Sequence, residues 1–376
     1  MIQQLTLNQW ERVEMNDLKM SIKKIAFRCI RYVGRGFFRK RVWLVSDRES
    51  SAGDNGEAFF KYLQGKKVDS IFAISKHSKD YERIRKIGNV VNYDSLYFKF
   101  LLCVSECYCS SQLIHMETHV ETPQIFLQHG IITDNLSNML TPYWHKNFYM
   151  VCSSPIEKRI ICEDGEKDHL LMTGLSRFDY LKNNPKKKVV LAFTWRPALN
   201  ELKTEEKVNT EYFITLCRLM TDQKINELLS ANGYELYIKL HPEMSALKDY
   251  FPKAKYCKVY EDSYNKLYEE ACLMITDYSS AIYDFVYLKK PIIYYQFDEK
   301  NFYDGNPFKA KSSFSYDNEG FGPVARTYDE LLTAIKEMIA TGCEMKDIYL
   351  ERADHFFAYN DRNNCARLYH MIEEIV

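Results

Sequence analysis

One stretch of the sequence, residues 273–295, reads LMITDYSSAIYDFVYLKKPIIYY and joins two short apolar runs through an amphipathic one. The two outer runs are too short and too apolar for anything but buried parallel strands, and the apolar residues between them recur on one helical face. The stretch therefore predicts a strand, a turn, a helix and a second strand. The turn lies at the carboxyl edge of a parallel sheet, where open α/β folds bind ligands.

The turn itself, residues 276–280, is made of small and hydroxyl-bearing residues that leave the first amides of the helix open to an anion. The helix dipole also favours negative charge at this end, so a phosphate would fit. The alternative is that Asp277 or Ser279 only caps the helix, which is the commonest use of these residue types. On this stretch alone both interpretations stay open. The residues that would form the phosphate site are Thr276, Asp277, Ser279 and Ser280.

Length and composition indicate two α/β domains of ordinary size. The chain has 376 residues, of which 46% are hydrophobic, with 51 basic and 51 acidic side chains, so the overall charge does not point to nucleic acid. Eleven cysteines are an odd number in a chain without a cleavable signal sequence, which favours reduced thiols in a cytoplasmic protein. No apolar run approaches the roughly 18 residues that a membrane span needs.

A basic amphipathic helix is predicted near the start of the chain. Nine Lys or Arg lie between Lys19 and Arg41, and no acidic residue lies between Asp17 and Asp47. Such a helix can lie on an anionic membrane surface with its apolar side at the headgroup boundary, which we favour; alternatively it packs on the body of the protein. Its apolar positions at helical spacing are Leu18, Ile22, Ile25, Cys29, Val33 and Phe37.

Strand and helix patterns alternate on both sides of a charged, Pro-containing segment, so each side is predicted to be a doubly wound domain. The predicted strands include residues 100–104 and 124–127, and a long helix is predicted at 212–229. The predicted order is a basic helical segment (1–41), a first Rossmann-like domain (42–183), a linker (184–188), a second Rossmann-like domain (189–355) and a final helical segment (356–376).

Unusual polar residues follow predicted strands in both halves. His129 follows a strand in the first half, and Arg196 and His241 follow strands in the second. If the two sheets face each other, these residues share one cleft, where Arg196 and Lys239 would offer positive charge to a diphosphate. An imidazole with an unperturbed pKa near 6.5 is suited to accept a proton at neutral pH. A lone histidine is more often structural, but two at strand ends, each followed by Gly or Pro, favour function.

Taken together, these motifs resemble the CDP-glycerol glycerophosphotransferase family of teichoic-acid and capsule synthesis, from about residue 42 to the end of the chain. The motifs in this sequence are Gln128-His129-Gly130, Thr194-Trp195-Arg196, Lys239-Leu240-His241-Pro242, residues 276–280 with Asp284-Phe285 and Lys290-Pro291, Asp54-Asn55-Gly56, Gly174 to Asp179, and Asn360-Asp361-Arg362. One departure is Arg362, where the family often has Gly.

The resemblance implies a GT-B fold, in which two Rossmann-like domains face each other across a cleft and the second holds the donor. It implies transfer of glycerol phosphate or ribitol phosphate from a CDP-activated donor to a saccharide or polyol-phosphate acceptor, which can be lipid-linked, with release of CMP. His129 would be the general base, His241 would stabilise the diphosphate as CMP leaves, and Ser279 and Ser280 would lie at the phosphate-binding helix start. The residues that would bind the acceptor or support the site are Gln128, Gly130, Asp54 and Asn55.

Signals for other chemistries are weaker. Residues 115–119 place two histidines four apart without the metalloprotease pattern, and Cys103, Cys107 and Cys109 lack a second cluster at zinc spacing, so we expect a polar loop and buried thiols. No dinucleotide or Walker motif occurs. We expect no metal site and no required cofactor, although a divalent ion held loosely with the substrate stays compatible with the sequence.

Two alternatives from other classes remain. One is a GT-B glycosyltransferase with a UDP- or CMP-activated sugar, because a similar strand end serves diphosphate sites there. The other is a catalytically silent scaffold of a capsule assembly complex. The leading expectation is a cytoplasmic transferase, peripheral at the inner face of the cell membrane, with no nucleic-acid partner.

Overall fold

The computed structural model describes residues 25–36, 41–113, 121–163, 165, 167, 169–304, 306, 309–311 and 313–376. Leu18, Ile22 and Phe37 of the predicted basic helix, and the predicted polar loop at 115–119, lie outside these residues. The described part of that helix, α1, runs over 25–36.

The first lobe is built on a parallel sheet in the order β3-β2-β1-β4-β5-β6-β7. All five residues of the inner strand β1 are buried, because helices cover both faces of the sheet. Its strands are β1 (Val42–Ser46), β2 (Asp69–Ile74), β3 (Asn89–Asn92), β4 (Cys107–Ser110), β5 (Gln124–Phe126), β6 (Phe148–Cys152) and β7 (Leu170–Met172). Its helices are α2 (Asn55–Leu63), α3 (Tyr81–Arg85), α4 (Leu96–Val104), α5 (Ser137–Leu140) and α6 (Pro155–Ile161).

The second lobe repeats this plan with a parallel sheet in the order β10-β9-β8-β11-β12-β13. Its strands are β8 (Lys188–Leu191), β9 (Glu235–Ile238), β10 (Cys257–Val259), β11 (Leu273–Thr276), β12 (Ile292–Tyr295) and β13 (Val324–Ala325). Its helices are α7 (Thr204–Lys207), α8 (Glu211–Thr221), α9 (Gln223–Ala231), α10 (Tyr264–Glu270), α11 (Ile282–Tyr287), α12 (Glu299–Asp304), α13 (Tyr316–Glu319) and α14 (Tyr328–Ala340). The stretch that opened the sequence analysis is β11-α11-β12, as predicted.

Two predicted elements were wrong, each because of a helix cap. Residues 100–104 are the second half of α4 and not a strand, since Ser95 caps that helix by accepting a hydrogen bond from the Phe98 amide at 3.1 Å. The predicted long helix at 212–229 is two helices, because Asp222 ends α8 and caps α9 by accepting from the Ile225 amide at 2.8 Å.

The last two helices are α15 (Asp347–Phe356) and α16 (Asn364–Ile375), and α16 lies on the first lobe. The ring centroids of Tyr369 and Trp43 are 5.2 Å apart, and the Asn364 side chain donates to Asp179 at 2.8 Å. Arg362, just before α16, has φ +56°, in the left-handed region that favours Gly. The backbone thus keeps the conformation that a Gly would adopt there.

Helix α1 rests on the first lobe through one side only. A Cβ on Gly34 would lie 2.5 Å from Val104 Cγ1, and Arg31 donates to the Cys103 carbonyl at 2.9 Å. Ile25 and Val33, on the predicted apolar face, are 62% and 60% exposed. Over the ranges that the structure describes, no helix has both the length and the apolar character to cross a membrane.

Candidate active site

The histidine loop of the first lobe follows β5 directly. Gln128 is buried and has φ +61°, a backbone conformation that costs a non-Gly residue about 1–2 kcal/mol. The side-chain nitrogen Nε2 of Gln128 donates to the Val151 carbonyl at 2.5 Å and to the Glu157 carboxylate at 2.8 Å. These bonds hold the sharp turn that leaves His129 with an exposed side chain.

The carbonyls on both sides of the His129 Cα are also held. Asn55 Nδ2 donates to the Gln128 carbonyl at 2.8 Å, and Arg177 donates to the His129 carbonyl at 3.0 Å. Asp54 caps α2 and accepts from Arg177 at 2.8 Å. Of the four residues expected to bind acceptor or support the site, Gln128, Asn55 and Asp54 therefore support it.

The electrostatic surroundings of His129 keep its ring neutral at neutral pH. Part of the His129 ring stays open to solvent, but the surrounding protein atoms desolvate the imidazole, and this effect, followed by the positive charges of Arg177 and Arg48, lowers the pKa of His129 to about 4. Lys309 lowers it further, and a hydrogen bond to the Ser111 backbone acts in the opposite direction. A neutral imidazole that reaches solvent can accept a proton, as a general base must.

Three of the expected donor-binding residues are buried in an internal network instead. Asp277 accepts from the Thr194 amide at 2.9 Å, Thr276 donates to the Ala192 carbonyl at 2.5 Å, and both side chains are fully buried. Arg196 is 6% exposed, and its guanidinium pairs with Asp277 and Asp298, each at 2.8 Å. The structure corrects the expectation that Arg196, Thr276 and Asp277 face a diphosphate: they tie the ends of β8 and β11 together.

Lys239 and His241 follow β9 at the same edge of the second sheet. Lys239 Nζ donates to the carbonyls of Tyr260 at 3.2 Å and Asp262 at 2.5 Å, so part of its donor capacity is used within the lobe. Burial lowers the pKa of Lys239 and also that of His241. The His241 ring is half-buried and stacks on Trp195, with centroids 6.4 Å apart, which fixes its orientation at the cleft.

Ser279 and Ser280 form the part of the 276–280 turn that reaches the surface. Both are half-exposed, and Ser279 Oγ accepts from the Ala281 amide at 3.2 Å. Helix α11 begins at Ile282, later than expected, and has six residues. Ser279 thus forms a local turn with Ala281, the N-cap residue of α11, which has no side-chain cap bond, and both serine hydroxyls stay partly accessible.

The histidine loop around His129, in the first lobe, contacts the turn at residues 276–280 of the second lobe, here called the serine turn. A Cβ at Gly130 would lie 2.5 Å from Ser280 Oγ, so only Gly allows this approach. Close by, Tyr283 of the second lobe and Thr133 of the first share a hydrogen bond of 2.7 Å between their hydroxyls. His129 is therefore placed next to the serine turn by packing, and not only by the general arrangement of two sheets.

Sequence reasoning quoted Arg177 within a motif but gave it no role. Its guanidinium binds both carboxylate oxygens of Asp284 at 2.6 Å, while its other arm binds Asp54. Asp284 belongs to α11 of the second lobe and has no exposed surface. A charged residue between the apolar residues 282 and 285 was the available signal. Arg177 therefore joins the serine turn's helix to the histidine loop.

Metal ligands do not gather at this site. Within the described ranges, no group of three or more His, Cys, Asp or Glu side chains is arranged to hold a metal ion. Cys103, Cys107 and Cys109 are buried, as expected for structural thiols.

The family model for CDP-glycerol:poly(glycerophosphate) glycerophosphotransferase matches residues 27–374. The chain belongs to this glycerophosphotransferase family. A relative at 34% identity is the minor teichoic acid biosynthesis protein GgaB of Bacillus subtilis (strain 168), and the match covers 95% of this chain and 42% of that protein. The chain thus spans less than half the length of this relative.

Another family relative is the teichoic acid glycerol-phosphate transferase of Staphylococcus aureus (strain NCTC 8325 / PS 47), 21% identical over 91% of this chain and 94% of that protein. Among solved structures, the wall teichoic acid polymerase TagF is similar with a TM-score of 0.66 at 14% identity, covering 99% of this chain and 98% of that one. The likeness of the whole chain confirms the predicted fold, two Rossmann-like lobes of the GT-B type.

Proposed function

We propose that this glycerophosphotransferase-family chain transfers glycerol phosphate or ribitol phosphate from its CDP ester to a saccharide or polyol-phosphate acceptor in teichoic-acid or capsule synthesis. The observation that carries the proposal is the contact between Gly130 and Ser280, which sets a neutral imidazole beside the accessible serine turn of the other lobe. The family match over residues 27–374 supports the class of donor.

The reaction follows from what these residues can do. His129 removes the proton of the acceptor hydroxyl, whose oxygen attacks the phosphorus that carries the polyol. The bond from this phosphorus to the bridging oxygen breaks, and CMP leaves with the electron pair. Such a transfer needs positioning and neutralisation of developing charge more than covalent help from the protein. Ser279, Ser280 and His241 supply donors on the second-lobe side.

A donor screen tests the proposal. Purified protein is incubated with CDP-glycerol, CDP-ribitol, a UDP-sugar and CMP-sialic acid, each with a polyol-phosphate and a saccharide acceptor, and nucleotide products are separated by chromatography. We expect release of CMP from a CDP-polyol. The release should persist in the presence of a chelator, because the proposed mechanism uses no metal ion. Consumption of a sugar nucleotide instead would assign a glycosyltransferase, and no turnover with any donor would favour the scaffold.

On the acid side, the rate of CMP release should begin to fall at a lower pH than an ordinary histidine base would give. His129 must be neutral to act, and because its pKa is lowered to about 4 it is already neutral well below the ordinary value for histidine. We therefore expect kcat/KM for CMP release, which reports the free enzyme, to stay level between about pH 5.5 and 7. Initial rates at low donor concentration measure this. A fall centred near pH 6.5 would show an imidazole with its ordinary pKa and contradict the lowered pKa of His129.

We further propose that α1 attaches the chain to an anionic membrane surface, where a lipid-linked acceptor would be presented. A groove of about 720 Å³ between α1 and α4 is lined mainly by apolar side chains, and Leu96 on its α4 side is 82% exposed. Ile25 and Val33 are exposed beside it, and Arg28 and Arg35 on the same helix are also exposed. Exposed apolar surface with basic neighbours is the pattern of an interfacial helix.

Replacing Ile25, Ile30 and Val33 together with Ser should reduce binding to anionic vesicles at least tenfold, because burial of one such side chain contributes about 1.5–3 kcal/mol. Co-sedimentation with phosphatidylglycerol vesicles measures the bound fraction. Ile348→Ser, at an exposed position on α15, is the matched control and should bind like the wild type. Equal pelleting of the triple variant and the wild type would refute the attachment.

A further inference from the structure

Arg48 is a cation at the cleft edge that neither the sequence motifs nor the fold account for. It follows β1 by two residues, and β1 is separated from β5, which leads to His129, by β4 alone. Neighbouring strands lie about 4.8 Å apart, so the chain leaves the sheet about 10 Å from the histidine loop and on the same edge.

Hydrogen bonds hold the backbone around Arg48, whereas its side chain has no such bonds to the described residues. The Ser51 amide donates to the Arg48 carbonyl at 3.3 Å, and the Ser75 amide donates to the Glu49 carbonyl at 2.9 Å. The Arg48 side chain is exposed and, as far as the chain is described, forms no ion pair or hydrogen bond. Arg177 and Arg196, by contrast, are buried between carboxylates.

The charge of Arg48 reaches groups on both walls of the cleft. It lowers the pKa of His129 on its own lobe and the pKa of His241 on the opposite lobe, in each case after the larger effect of burial. It also opposes the burial-driven rise in the pKa of Tyr264, at the start of α10. The other charged groups that act on the two imidazoles are Arg177 and Lys309 at His129 and Glu243 at His241. The Arg48 charge is therefore close enough to act on both imidazoles.

We propose that Arg48 binds the donor diphosphate from the first lobe, opposite His241 and the serine turn, and contacts the phosphoryl group that is transferred. The proposal rests on the proposed function, because it assumes a nucleoside diphosphate ester in the cleft. An unpaired guanidinium presents a planar fork of donors that matches phosphate oxygens. With donors on both walls, the phosphoryl group is held from two sides while its charge develops.

Arg48→Gln tests this assignment. We expect kcat for CMP release from the CDP-polyol to fall about 10²- to 10³-fold, as for loss of one preorganised donor to a developing charge. Arg48→Lys should recover part of the rate, since it restores charge without the fork. Arg85→Gln is the matched control, because Arg85 is an exposed cation on α3 of the same lobe whose partner Glu82 is also exposed. It should behave as the wild type.

Calorimetry separates this role from a structural one. Arg48→Gln should weaken binding of CDP about tenfold but leave binding of CMP unchanged, because only CDP carries the outer phosphate that Arg48 contacts. Thermal unfolding should match the wild type, since the exposed side chain forms no ion pair or hydrogen bond with the described residues. If the wild type releases CMP but Arg48→Gln keeps its rate and its affinity for CDP, the inference fails and the proposed function stands. If the wild type neither releases CMP nor binds CDP, both fail.

Discussion

His129→Ala is expected to lower the rate of CMP release by about 10²- to 10⁴-fold, the usual contribution of a positioned general base. The loop around His129 is held through backbone carbonyls by Asn55 and Arg177, and the imidazole itself is exposed. Removing the ring should therefore leave the fold and the affinity for CDP close to the wild type. Initial rates at saturating donor, with unfolding curves recorded in parallel, measure the effect.

The low pKa of His129 in the free enzyme is compatible with its role as general base. A bound diphosphate brings negative charge into a cleft where Arg177, Arg48 and Lys309 otherwise hold the pKa of His129 down. The donor would raise that pKa toward the working pH, where a base is most effective. His355→Ala, at an exposed position on α15, is the matched control. Full activity of His129→Ala alongside this control would remove His129 from the mechanism.

Arg177→Ala is expected to reduce the free energy of unfolding by about 3–5 kcal/mol, because it leaves the carboxylate of Asp284 buried without a partner. Burial alone would lower the pKa of Arg177, but Asp284 and Asp54 more than reverse this, so its pKa lies above the ordinary value. Urea unfolding measures the loss. The rate of CMP release should fall as well, since the His129 carbonyl loses its donor.

The double variant Arg177→Met with Asp284→Leu distinguishes a buried charge from lost packing. Removing both partners should recover a large part of the stability, because neither charge is then left buried and unpaired. Arg159→Ala is the control, since its pair with Glu319 also joins the two lobes but Arg159 is 50% exposed. That pair should contribute less than about 1 kcal/mol. A small effect of Arg177→Ala, similar to that of Arg159→Ala, would show that the bridge between the lobes is not important for stability.

The sequence was a good guide where one local pattern decides the outcome. The unit β11-α11-β12 was predicted because parallel strands buried on both faces are continuous apolar runs. The position of His129 just after a strand was predicted from the strand pattern and the Gly that follows it, and the structure shows that this Gly is what lets Ser280 approach. The family resemblance added the arrangement of two lobes, which no local pattern contains.

The sequence was a poor guide to which charges pair. Arg196 was expected to face a diphosphate and Arg177 was given no role, because their partners, Asp298 and Asp284, lie about 100 residues away along the chain. Arg48 belongs to no motif, and the structure was needed to show that it is exposed, without an ion pair or hydrogen bond to the described residues, and at the same sheet edge as β5. The prediction of a strand at residues 100–104 was wrong for another reason, because a short apolar segment fits a buried helix as well as a strand.

In the proposed complex, a nucleoside diphosphate lies between the lobes, with the serine turn and His241 on one side and Arg48 and His129 on the other. A crystal structure of the protein with CDP at neutral pH tests it most directly. We predict diphosphate density within hydrogen-bond distance of Ser279 or Ser280 and of Arg48, with His129 facing the outer phosphate. Diphosphate density elsewhere on the protein, with His129 and His241 both facing solvent, would contradict this placement of the donor.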